Sequence, residues 1–61
     1  MIAITYTRVF LTPPLQGARL IVHETVSEER FQELSRYGPD TPFDGGTAGH
    51  KWFVHGMRVE Q

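Results

Sequence analysis

Val26-Ser27-Glu28-Glu29-Arg30-Phe31-Gln32-Glu33-Leu34-Ser35-Arg36-Tyr37-Gly38-Pro39 is the stretch on which the fold turns. Ser27 can accept a hydrogen bond from the exposed N–H groups of a first helical turn, and Glu28 and Glu29 place negative charge at its positive end. Val26 and Phe31 stand at the two positions of a hydrophobic staple. At about 100° per residue Phe31, Leu34 and Tyr37 form one arc with Arg30 beside them, while Glu28, Glu29, Gln32, Glu33 and Arg36 fill the other side. Gly38 suits a left-handed C-terminal position and Pro39 blocks continuation. The pattern predicts one amphipathic helix over 27–37.

Working outward, the preceding segments alternate as strands do. Ile2, Ile4 and Tyr6 interleave with Ala3, Thr5 and Thr7. The phase then changes at Val9 and Leu11, which calls for a bulge near Thr7-Arg8 or for cover on both faces. Thr12-Pro13-Pro14-Leu15-Gln16-Gly17 breaks the pattern as a connecting loop. A second strand follows over 18–25, with Leu20 and Val22 on one face and Ile21 and His23 on the other. After the helix, 38–51 reads as a long loop rich in glycine, with Phe43 as its large apolar residue and Asp44 beside it. The last strand, 52–60, sets Phe53, His55, Met57 and Val59 on one parity and Trp52, Val54 and Arg58 on the other, with Gly56 as a candidate bulge.

The order is β-β-α-β, an α+β fold in a single domain spanning 1–61. A right-handed crossover through the helix predicts a three-stranded antiparallel sheet in spatial order 2-1-3, with the helix on one face. One helix cannot cover both faces. Val9, Leu11, Ile21 and at least one of Trp52 and Phe53 are left to compete for cover on the open side.

Length and composition narrow the class. Sixty-one residues without cysteine exclude disulfides and thiolate metal sites, and domains this small commonly gain stability by association. A net charge of −1 supplies no strong positive field for sequence-independent nucleic-acid binding. The start at Met1 and the lack of a signal-peptide pattern lead to the expectation of a complete small gene product in the cytoplasm of its own or a host cell.

The chemistry-bearing residues form no recognisable catalytic set. His50 and His55 fall on opposite faces of a regular strand, and His23 lies on another strand, so no metal site is expected. Ser27 is accounted for as a helix cap. The run Gly45-Gly46-Thr47-Ala48-Gly49-His50-Lys51 lacks the spacing of a phosphate-binding loop. No cofactor and no catalytic site are therefore expected.

The residues that remain describe a surface. Trp52 leads as an anchor, with Ile21, Arg19 and Arg58 beside it, because aromatics and arginine dominate protein contacts. Phe43 and Asp44 form a second candidate site. The expectation is a non-enzymatic protein-binding module, an accessory regulator or inhibitor of the type carried by phages and mobile elements, which associates with itself as a homodimer or with a protein partner. The alternatives are a nucleic-acid-binding regulator using the open sheet face, with Tyr6 and Arg8 among its contacts, and a small ribonuclease with His50 or His55 as base.

Overall fold

The computed structural model describes residues 1–45 and 50–60. The elements are β1 (Ile2–Phe10), β2 (Arg19–Val26), α1 (Glu28–Ser35), β3 (Phe43–Asp44) and β4 (Lys51–Val59). The fold is α+β, with one antiparallel sheet in the order β2-β1-β4-β3. The three long strands take the 2-1-3 arrangement, but the sheet has four strands rather than three. The fourth comes from the segment expected to be loop throughout. Phe43 stacks on Trp52 at 4.8 Å and meets Tyr37 edge-on at 5.3 Å. Burial of that ring draws its backbone into register with Trp52, and Asp44 follows opposite Lys51. Among the described residues no helix is long and apolar enough to cross a membrane.

β1 and β2 form a hairpin whose register runs unbroken from Ile2↔Val26 to Val9↔Arg19. Gly17, at φ +85°, donates its N–H to the Phe10 carbonyl at 2.9 Å and closes the turn. A side chain would strain that left-handed backbone. β1 has no bulge at Thr7-Arg8, the first of the two readings of its phase change, whereas Gly56 of β4, the other bulge candidate, does form one. Thr5 pairs with Arg58 and Thr7 with His55, so the single residue Tyr6 faces the two residues Gly56 and Met57. Gly56 takes the left-handed conformation, φ +63°, that opens the bulge.

The helix begins as its sequence requires, with the Arg30 N–H donating to Ser27 Oγ at 3.2 Å. It ends earlier than residue 37 and without a left-handed glycine, because Gly38 has no positive φ. The Thr41 hydroxyl donates to the Arg36 carbonyl at 2.7 Å, and the Gly38 N–H reaches the same carbonyl at 3.1 Å. A side chain from downstream thus satisfies the helix end that a glycine turn would otherwise serve. Tyr37, freed from the helix, accepts the Val54 N–H on its carbonyl at 2.8 Å and ties the chain to the outer edge of β4.

The core lies between helix and sheet: Ile4, Tyr6, Val26, Leu34 and Trp52. Leu34 is fully buried, and Phe31 and Tyr37 pack against the cluster. The Tyr6 hydroxyl donates to Glu24 Oε1 at 3.1 Å and accepts from the Arg8 guanidinium at 3.2 Å. The same guanidinium lies over the Trp52 ring, 4.4 Å from its centroid. Burial raises the Tyr6 phenol above its ordinary value against the lowering effect of Arg8. The Tyr37 phenol is raised mainly by its 2.7 Å hydrogen bond to Glu33.

Two outcomes follow from this core. Leu34→Ala should destabilise the protein by about 2–4 kcal/mol, because a fully buried leucine leaves a cavity when truncated; chemical denaturation measures it. Both phenols are raised in the folded chain, so their contribution is complete below the phenol value of the unfolded chain. It disappears as pH rises through the folded values. Denaturation midpoints should therefore fall on the alkaline side, and Tyr37→Phe should make that fall smaller.

Candidate interaction surface

The pairing of β1 with its two neighbours fixes which side chains share the face turned away from the helix. Directly paired residues lie on the same side of an antiparallel sheet. His23, Thr5 and Arg58 make one row across β2, β1 and β4; Arg19, Val9 and Phe53 make another. Between them Thr7 has Ile21 on one side and His55 on the other. Beyond these rows Ala3 pairs with Thr25 and accepts the Glu60 N–H at 2.7 Å, and Leu11 donates its N–H to the Lys51 carbonyl.

The Gly56 bulge decides the composition of this face. In a regular strand Arg58 would share a side with Trp52 and Val54. The extra residue reverses the alternation, so Arg58 joins Phe53 and His55 on the open face while Met57 packs against the core. Ile21 is 65% exposed, Arg19, His23, His55 and Arg58 are exposed, and Val9 and Phe53 are half-buried. Arg19 and Arg58 thus stand on the open side together with Ile21.

Trp52 does not. It is 5% exposed and packs among Tyr37, Phe43 and Arg8 on the helix side, which corrects its expected role as the leading surface anchor. Its neighbour Phe53 occupies the open-face position. Tyr6 and Arg8 likewise face the helix, so the aromatic contacts expected of them on the open side are absent there. Phe43 is half-buried under the same stack. Asp44 is exposed beside Lys51 at the far corner.

The histidines differ in how firmly they are held. His23 Nδ1 lies 2.9 Å from the Thr5 hydroxyl, which is itself largely buried, so one ring nitrogen is engaged and the other is turned away from it. The depression around them is lined by Ala3, Thr25 and Glu60 as well. His55 lies across β1 from His23, one row along. His50 packs edge-on to Phe10 at 6.4 Å. Among the described residues no three His, Asp or Glu side chains converge as metal ligands. Gly46, Thr47, Ala48 and Gly49 of the glycine-rich run lie outside the described residues.

Two features of this surface were missed in the sequence. The Thr5–His23 contact needs the hairpin register, which sets those residues side by side. The place of Phe53 needs the bulge to be located. Comparison with protein-family models, curated proteins and solved structures finds no match to this chain. Thr5→Val should remove the hold on His23 at a cost of about 0.5–1.5 kcal/mol. Imidazole NMR signals should show His23 changed and His55 little affected.

Proposed function

We propose that the protein is a non-enzymatic binding module that takes a protein partner on the open face of its sheet and regulates or inhibits that partner by occupying its surface. The observation that carries this reading is the adjacency of Ile21 to the row Arg19–Val9–Phe53 on a face that no element covers among the described residues. Apolar side chains bordered by arginine are the composition in which protein contacts concentrate their energy. The opposite face is different in kind: its large rings are already in contact with one another.

A nucleic-acid reading draws on a separate observation. The block formed by His23, Thr5, Arg58, Ile21, Thr7, His55, Arg19, Val9 and Phe53 contains no carboxylate, and Glu60 stands at its border beside Ala3. Single strands, however, are held on sheets by several stacked aromatic rings. Tyr6, Trp52, Tyr37 and Phe43 are committed to the helix side, which leaves Phe53 as the phenyl ring for stacking. The protein reading is therefore preferred.

The test is capture from a lysate of the source cell with the native chain and with Phe53→Ala, Arg19→Ala and Arg58→Ala, using Glu29→Ala on the helix as a control. A discrete protein should be retained by the native chain and by the control, with or without nuclease, and lost at least about tenfold with the open-face changes, each hot-spot contact contributing more than about 1.4 kcal/mol. Salt-sensitive binding of a labelled single-stranded oligonucleotide, abolished by those changes, would replace this reading with the nucleic-acid one. RNA cleavage lost on His55→Ala or His50→Ala would replace it with the ribonuclease.

A further inference from the structure

The two edges of the sheet are finished differently. Along the outer side of β4, β3 pairs with its start, the Gly45 N–H donates to the His50 carbonyl, and the Val54 N–H donates to Tyr37. The other edge is β2, which has no strand beyond it among the described residues.

Hydrogen-bond parity identifies the backbone groups left along that edge. Phe10 donates its N–H to the Ala18 carbonyl and accepts from Gly17, so the even residues of β1 turn toward β2. Leu11 donates to Lys51, and Ala3 accepts from Glu60, so the odd residues turn toward β4. With the unbroken register Arg8↔Leu20, Tyr6↔Val22 and Ile4↔Glu24, β2 spends its even residues on β1. Arg19, Ile21, His23 and Thr25 therefore direct both N–H and C=O outward.

β2 carries neither proline nor bulge nor lysine, three of the usual protections of an edge. Its charges are Arg19 at its start and Glu24, which the Tyr6 hydroxyl engages. Apolar side chains flank its edge on both sides of the sheet. Ile21 is 65% exposed on the open side and Leu20 is 49% exposed on the helix side.

We infer that β2 pairs antiparallel with β2 of a second copy about a twofold axis at Val22, joining two four-stranded sheets into one of eight. The outward residues determine this register. An axis at Val22 sets Ile21 opposite His23 of the second copy and Arg19 opposite Thr25, so all four outward residues find outward partners. An axis at Ile21 leaves Thr25 without one, and an axis at His23 leaves Arg19 without one. The chosen register opposes no like charges: Leu20 faces Glu24, whose carboxylate is held back by the Tyr6 hydroxyl at 3.1 Å. Val22 meets Val22 in the close, non-hydrogen-bonded pair at the axis. The helices then lie on one side of the joined sheet, and the two open faces become continuous on the other.

The absence of cysteine permits a register-specific test on the full chain. Light scattering of the native protein should show a monomer passing to a dimer as concentration rises. Ile21→Pro removes an outward N–H without taking a bond from the β1–β2 ladder. It should abolish the dimer and leave the circular dichroism of the sheet in place. Independently, single-cysteine variants under mild oxidation should show Val22→Cys cross-linking about tenfold faster than Ile21→Cys or Thr25→Cys, since a disulfide requires Cα atoms within about 7 Å and facing side chains. A chain that stays monomeric at high concentration would overturn the inference. So would equal cross-linking at the three positions, or a dimer that survives Ile21→Pro and is lost with Phe53→Ala. Partner capture through Phe53 and Arg58 is measured separately, so either proposal can fail alone.

Discussion

Leu34 closing over Ile4, Tyr6, Val26 and Trp52 is the contact on which the rest of the molecule depends. It is the helix's one fully buried side chain, and it joins the segment after β2 to residues of β1, β2 and β4. An eight-residue helix is about 12 Å long at about 1.5 Å per residue. Four strands spaced about 4.8 Å apart span somewhat more than that between their outer members. Such a helix can close one side of the sheet over its middle, and no arrangement of its few apolar residues extends cover to the second side. The open face and the exposed Leu20 are consequences of that limit.

Where the helix stops, Arg8 takes over. Its guanidinium lies against Trp52 and bonds the Tyr6 hydroxyl, which in turn bonds Glu24. A buried phenol needs partners for its polar end, and an arginine over an indole gains about 0.5–2 kcal/mol from the ring quadrupole. This arrangement lets a charged residue on the central strand act as part of the core's cover. It also removes Arg8, Tyr6 and Trp52 from any role on the far side.

The helix, the hairpin and the antiparallel order of the long strands were legible because each rests on local chemistry: the Ser27 cap, the glycine at the hairpin turn, and alternation in β1. The errors came from features that need tertiary contact. Phe43 forms a strand because Trp52 and Tyr37 offer it a stack, and nothing in its glycine-rich surroundings signals that. Gly38 read as a left-handed cap, but Thr41, three residues farther on, serves the helix end. On β4 the glycine was a visible bulge candidate, yet its effect on parity decides the candidate surface. Carrying the alternation straight through it puts Arg58 with Trp52 on one side and Met57 with Phe53 on the other. Shifting the phase at Gly56 exchanges Arg58 and Met57 and assembles the face now seen.

An antiparallel sheet can leave one face in water without seeking a partner, so openness alone does not distinguish a binding surface from a solvated one. The distribution along this face does. Toward the chain ends it presents Ala3, Thr25 and Glu60, small or polar groups suited to solvent, beside the buried Thr5, whose hydroxyl is engaged by His23. Toward the hairpin turn it presents Val9, Phe53 and Ile21 with Arg19 at their border. Solvation would favour polar residues at both ends equally. The gradient instead concentrates the apolar area at the hairpin end of the face. Any contact made by the open face should therefore be centred on the Arg19–Val9–Phe53 row, with His23, His55 and Arg58 as its polar border.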